Sequence, residues 1–202
     1  MIKGVTPYGT LVLMEGCQLQ RNERMPAIDL YNGPLWQTLR RRQGMIPSCN
    51  VCVLSGKHGF INACTVISPY DEPLTGQKVT NMIARPVTAT NTRFSIAHRG
   101  AWGPSPILEA GGAIRIPNRP YDAVVLAASG NYETGLRHIL GGFLVVGLVG
   151  RGVPIIIASG SLGERCQELA MTLHWINGQS EGDRDMDRSV KFSAQHWLNK
   201  QG

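Results

Sequence analysis

The sequence predicts a single α/β domain with a largely parallel or mixed sheet, helices on both faces and one irregular insertion. Two observations carry this. Four short apolar runs each close into a turn rich in small and polar residues, and most are followed by a stretch with helical spacing. The chain is also 43% hydrophobic and only 17% charged over 202 residues, enough to build one sizeable core and too apolar for disorder.

Taken in order, Thr10 to Met14 is the first strand and ends at Glu15-Gly16-Cys17. Pro34 to Arg42 reads as a helix: proline suits its first position, Leu35, Trp36 and Leu39 share a face, and Gly44 is placed to stop it. Val51 to Leu54 is the second strand, closed by Ser55-Gly56-Lys57-His58-Gly59. Residues 69–73 form a turn-rich loop, and Thr75 to Ile83 reads as a short helix. Residues 86–120 hold five prolines and no clean period, which defines the insertion. Ala123 to Ala128 is the third strand, followed by a turn at Ser129 to Asn131 and a helix over Tyr132 to Leu140. Phe143 to Val149 fits helix or strand. Val153 to Ala158 is the fourth strand, and Glu164 to Ile176 the helix after it. The domain so defined spans residues 1–176. Residues 177–202 read as a polar linker and a C-terminal amphipathic segment carrying Val190, Phe192 and Trp197.

The longest apolar run, Gly141 to Ile157, is interrupted by Arg151 and Pro154 and is too short to span a bilayer; the N-terminus lacks the pattern of a signal peptide. The expectation is a cytoplasmic protein without membrane contact. Five cysteines, an odd number, argue against a disulfide framework. Cys49 and Cys52 form a C-x-x-C that could bind zinc or do redox chemistry, but on a strand residues three apart point to opposite faces, so packed, reduced thiols are the favoured reading and no metal is expected. The net charge of +6 favours an acidic partner, of which DNA or RNA is the commonest. Nothing in the sequence identifies a cofactor or an oligomeric state.

In a parallel sheet the ligand crevice lies beyond the carboxyl ends of the strands, so the residues just past each strand are the candidates. Cys17 follows the first strand, and Arg21 and Arg24 nearby would lower its pKa and make it a nucleophile; the alternative is a packed small hydrophobe. Ser55, Lys57 and His58 offer a hydroxyl, a cation and an imidazole on one turn, with His58 as acid or base and Lys57 on a phosphate, or else a solvated loop with a capping serine. Gly160, Ser161 and Gly163 open a helix whose free amides suit an anion, or form an ordinary tight turn. Arg40-Arg41-Arg42 complements the end of its helix and would also suit a phosphate backbone. Trp36 and Trp175 read as core.

Three stretches together resemble the YaaA-like superfamily. Val53 to Gly76 contains a Leu-Ser-x-x-x-Gly turn followed by Pro69-Tyr70-Asp71. Val124 to Leu136 contains a strand ending in Ala-Ser-x-x-Tyr132. Glu15 to Trp36 is similar to an opening Cys-Ser-x-x-Lys element and a following Pro-Ala-x-x-Leu-Tyr31, with Gln18 and Arg21 in place of the serine and lysine. The layout also resembles the lysine-transferring domain of archaeosine synthase. The resemblance covers roughly Leu11 to Ile176 and implies work on nucleobases or nucleic acid. The expected function is therefore group transfer in a DNA- or RNA-base-modification pathway of the kind found in phages and mobile elements, on DNA, RNA or a modified nucleobase or nucleotide. The alternative is a non-catalytic nucleic-acid-binding stress-protection protein. In the first case Cys17, His58 and Ser55 supply the chemistry. Tyr70, Asp71 and Tyr132 frame the base, with Tyr31 beside them. Arg21, Lys57 and the Gly160–Gly163 turn hold phosphate.

Overall fold

The computed structural model describes residues 9–43, 49–84 and 121–178, apart from 122, 146, 148 and 151. The insertion 86–120, Gly44 and the C-terminal segment 179–202 lie outside the described residues.

The elements in chain order are β1 (Thr10–Glu15), β2 (Met25–Pro26), α1 (Ala27–Leu30), α2 (Pro34–Gln43), β3 (Cys49–Ser55), β4 (Gly59–Asn62), β5 (Val66–Ile67), α3 (Gly76–Ile83), β6 (Ala123–Ala127), α4 (Gly130–Val145), β7 (Ile155–Ala158) and α5 (Leu162–Gly178). The main sheet has five strands in the order β4-β3-β1-β6-β7. β1 lies parallel to β3 and to β6, β6 lies parallel to β7, and only β4 runs antiparallel, on β3. This is the α/β architecture expected from the sequence, with one hairpin in place of a strand–turn–helix unit.

Both faces of the sheet are buried, which is why its strands read as continuous apolar runs rather than alternating ones. Leu11, Leu13, Cys52, Leu54, Val124 and Leu126 pack on one face against α3 and α4, through Val79, Met82, Leu136, Ile139 and Phe143. Val12, Met14, Val51, Val53, Val125 and Ala127 pack on the other against α2 and α5, through Leu35, Trp36, Leu39, Leu169 and Leu173. Successive strand residues alternate between the two clusters, as the period of two requires. Helix α4 extends to Val145, which settles the ambiguous Phe143–Val149 stretch: its first residues are helical and Val149 forms an isolated bridge to Tyr121. Among the described residues no helix is long and apolar enough to cross a membrane.

Two features place the crevice. β1 is the central strand, and the chain leaves it toward the α2 face while it leaves β6 toward the α4 face; in parallel sheets such a divergence is where a ligand crevice forms, at the carboxyl ends. In addition, the two-stranded pairing of β2 with β5 carries the segment after β1 against the loop before α3. Gly56 lets that loop cross the β3–β4 turn: a Cβ there would lie 2.0 Å from the carbonyl oxygen of Glu72.

Glu15, the last residue of β1, ties the frame together. One carboxylate oxygen accepts from the Ser129 amide at 2.8 Å and its hydroxyl at 3.1 Å, just before α4; the other accepts from Arg165 Nη1 of α5 at 2.8 Å. The two side chains are 14% and 10% exposed. Removing one partner of a buried pair leaves the other charge uncompensated, so Glu15→Gln is expected to cost about 3–5 kcal/mol, with part of the loss restored by adding Arg165→Met. Urea unfolding of both variants checks this: the midpoint should fall sharply in the first and recover in the second, at unchanged slope.

Candidate functional site

The crevice at the ends of β1, β3 and β6 is lined by chemistry from three loops. After β3, Ser55 starts the hairpin turn, where its Oγ accepts from the amides of Lys57 at 3.3 Å and His58 at 2.9 Å. The chain enters β4 after that turn, and the geometry holds the His58 ring edge-on to Tyr70 with centroids 5.2 Å apart. Tyr70 arrives from the loop after β5. Its hydroxyl lies 2.8 Å from Ser55 Oγ and 2.6 Å from the Tyr31 hydroxyl. The Gln20 side chain fixes the Tyr70 backbone, donating to its carbonyl at 3.1 Å and accepting from its amide at 3.0 Å. The same Gln20 Nε2 donates to the Cys17 carbonyl at 2.9 Å, so Cys17 and Tyr70 are neighbours. Tyr132, from the first turn of α4, reaches across to accept from the Leu74 amide at 3.2 Å.

Cys17 sits at the start of α2. The Gly33 carbonyl accepts from the Gln37 amide as the residue before the helix, and the thiol occupies the space a Gly33 side chain would take: a Cβ there would lie 2.7 Å from Sγ. The thiol itself donates to the Leu19 carbonyl at 3.0 Å. Burial raises its pKa, and backbone hydrogen bonds at Gly33, Leu19 and Asn32 pull it back without overcoming that; Glu15 adds to the rise. The expectation of a thiol acidified by Arg21 and Arg24 is therefore corrected. Neither arginine is among the leading causes of the shift, and both stand exposed on the outer loop.

The other candidates divide by burial. Ser55 is fully buried with its hydroxyl engaged, so it is a support for Tyr70 and not an exposed nucleophile. The Tyr31 ring is core, packed on Trp36 at 5.0 Å, and its hydroxyl meets that of Tyr70; the ring is not free to stack on a ligand. Tyr70 and Tyr132 are half-buried, each with its pKa raised chiefly by burial. Lys57 and Asp71 are exposed at the rim, and Arg21 lies on the outer loop.

The Gly160–Gly163 turn is corrected as an anion site. Within it, Ser161 N already donates to Glu164 at 2.7 Å, and Ser159 N just before it to Glu168 at 2.7 Å. Ser161 Oγ in turn accepts from the Glu164 amide at 3.4 Å, closing a reciprocal cap. The signal is present in the sequence as Ser161-x-x-Glu164. Arg40 likewise turns inward, donating to the carbonyls of Ile28 and Tyr31 at 2.7 Å and to Asn32 Oδ1 at 2.9 Å, so it pins the loop that carries Tyr31 and is withdrawn from any phosphate backbone. The residue missed by sequence reasoning is Glu15, which reads as the end of a strand yet stands near enough to Cys17 and Tyr132 to raise both.

Cys49 and Cys52 pack on opposite faces of the sheet, as the strand period requires. Among the described residues no three His, Cys, Asp or Glu side chains come together as a metal site would need.

His58 is half-buried, its pKa lowered by desolvation first and by Lys57 second, and its Nε2 is buried without a hydrogen-bond partner among the described residues. It is a neutral imidazole at pH 7. A histidine whose folded pKa lies below its unfolded value binds fewer protons in the native state, so stability is fully present above about pH 6.5 and is lost as pH falls through the folded pKa. His138, also lowered by burial, contributes in the same direction. His58→Gln is expected to flatten part of the fall in urea midpoint below about pH 6.5, with His138→Gln removing a further part.

Over residues 11–107 the chain is similar to a family of unknown function (DUF6884), a span that carries Cys17, Tyr31, Ser55, His58 and Tyr70 and ends before Tyr132. No curated protein and no solved structure matches it.

Proposed function

We propose that this chain is an enzyme of group transfer on a nucleobase, free or within DNA or RNA, with Cys17 as the attacking thiol and His58 as its base. The observation that carries the reading is that Tyr70 is a common neighbour of Cys17 and His58 in a crevice at the switch point of the sheet, with the half-buried Tyr132 at its edge. A raised thiol pKa calls for a base to take its proton, and a neutral imidazole can do so. The exposed parts of Tyr70 and Tyr132 offer the aromatic surface that a planar heterocycle stacks on.

A second reading, a non-catalytic nucleic-acid-binding protein, rests on where the charge lies. Nine of the 20 Lys and Arg and eight of the 14 Asp and Glu fall among the described residues, which therefore carry +1 of the +6. Residues 85–120 alone hold five arginines and one glutamate. The crevice residues themselves are mostly hydroxyl, thiol and imidazole, which favours chemistry on a base over contact with a phosphate backbone.

Saturation-transfer NMR with a panel of free nucleobases and nucleosides separates the two. The enzyme reading expects binding of at least one heterocycle, weakened about tenfold or more in Tyr132→Ala, since a stacked base is worth about 1–3 kcal/mol. Cys17→Ser should keep that binding and lose conversion of the bound base, followed by mass spectrometry. If no heterocycle binds while affinity for duplex DNA falls with a log–log salt slope of about −0.9 per phosphate and is unchanged in Cys17→Ser, the binding reading replaces it.

A further inference from the structure

Three hydroxyls meet beneath the crevice, and the number of their protons fixes their direction. Ser55 Oγ accepts from two amides, those of Lys57 and His58. A hydroxyl has two lone pairs and one proton, so the Ser55 proton goes to the Tyr70 oxygen, 2.8 Å away. Between Tyr31 and Tyr70, at 2.6 Å, there is room for one bridging proton. If Tyr70 supplied it, the Tyr31 proton would be stranded. Tyr31 is fully buried, and Ser55, which also lies close to it, has both lone pairs taken. A stranded buried donor costs about 1–3 kcal/mol, so Tyr31 is the donor. The Tyr70 oxygen thus receives two hydroxyl protons, and its own proton has no acceptor among the described residues. Tyr70 is the half-buried member of the three, so that proton is left to the crevice.

A phenol that accepts two hydrogen bonds is polarised as a donor. The bonds from Ser55 and from Tyr31 favour the ionised form of Tyr70, while burial, the larger effect, keeps it protonated. Such a group does not act as a base; it stabilises negative charge arriving on an oxygen beside it.

We propose that Tyr70 is the donor that holds the oxygen on which negative charge develops when Cys17 attacks, so that the substrate's electrophilic carbon is a carbonyl carbon or one conjugated to a carbonyl. This rests on the reading of Cys17 as the nucleophile. In the step, the thiol proton passes to His58 and a sulfur lone pair forms the new S–C bond. In direct addition the carbonyl π pair moves onto its oxygen. In conjugate addition the attacked C=C pair shifts to form the enolate double bond and the carbonyl π pair moves onto the oxygen. In either case that oxygen accepts the Tyr70 hydrogen bond. Nothing is oxidised or reduced. Gln20 supports the placement by joining the Cys17 and Tyr70 carbonyls through one nitrogen.

Two thiol probes of different chemistry test this without knowledge of the substrate. N-ethylmaleimide is attacked at carbon with charge developing on an enolate oxygen; iodoacetamide loses iodide and develops none. The rate at Cys17 is read for each by peptide mass spectrometry on the native chain, with Cys166 as internal control. Tyr70→Phe is expected to slow the maleimide reaction at Cys17 about tenfold or more, the order lost with a single charge-stabilising donor, and to leave iodoacetamide unchanged. Tyr31→Phe keeps the Tyr70 phenol and removes one bond to its oxygen, so it should slow the maleimide alone and by less. Equal slowing of both probes, or of neither, overturns the role of Tyr70 while leaving Cys17 as nucleophile. A Cys17 that reacts with neither probe in the unsubstituted chain overturns the nucleophile itself, and the inference with it.

Discussion

The Glu15 carboxylate ends the central strand while facing two helices at once. Through one oxygen it takes the amide and hydroxyl of Ser129 before α4, and through the other the guanidinium of α5. Its burial would be unfavourable for an unpaired carboxylate, and the three donors offset that. The carbonyl of the same residue accepts from Trp36 Nε1 of α2 at 2.9 Å. Three of the four large helices among the described residues are thereby referenced to one residue at the carboxyl end of β1. The next residues are Gly16 and Cys17, and α4 carries Tyr132 in its first turn. The positions of Cys17 and Tyr132 are therefore set by the same anchor.

The remaining polar clamps follow a common logic. Arg40 holds the loop bearing Tyr31, Gln20 holds the backbone of Tyr70 against that of Cys17, and Lys78 ties the β3–β4 turn to the strap that crosses it, donating to the Gly56 carbonyl at 2.9 Å and pairing with Glu72. Each uses charge or amide groups to fix irregular backbone, which has no ladder of its own to satisfy it. Cations that the sequence would lend to phosphate contact are thus partly consumed in building the crevice.

Much of the frame is legible in the sequence. Continuous apolar runs such as Leu11–Met14 and Val124–Leu126 sit in a sheet buried on both faces, and their length and termination by small residues distinguish them from helices. Pro34 marks the start of α2 and Thr75 the cap of α3, where its side chain accepts from Lys78 N. Strand β4 is not legible, because a Ser-Gly-Lys-His-Gly turn serves a hairpin as readily as a helix and the strand that follows is only four residues long. At the site, Cys17, Ser55, His58, Tyr70 and Tyr132 can be named from sequence, but their roles depend on burial, which sequence does not carry. A seryl hydroxyl past a strand looks available until two amides and a phenol claim it. The resemblance points to Tyr31 as a ligand contact, whereas its ring is packed in the core. Glu15 is invisible for a related reason: a carboxylate ending a strand normally meets solvent, and its partners come from residues 114 and 150 positions away.

The ionisation of the site gives the arrangement its consistency. Burial outweighs the backbone hydrogen bonds at Cys17, outweighs the hydroxyl donors at Tyr70, and joins Lys57 in keeping His58 neutral. Near pH 7 the thiol, phenol and imidazole thus all rest uncharged, each close to groups that would support its charged form. Amides stand at the sulfur, two hydroxyls at the phenol oxygen, and Glu72 acts on the imidazole in the opposite sense to Lys57. A charge created by one transfer would find its stabilising dipoles already oriented, with little reorganisation needed at that moment. The same burial that withholds ionisation at rest lowers the local dielectric and strengthens those dipoles once charge appears. A neutral resting site and a polarised scaffold are consequences of one cause, the closing of three loops over the end of β1.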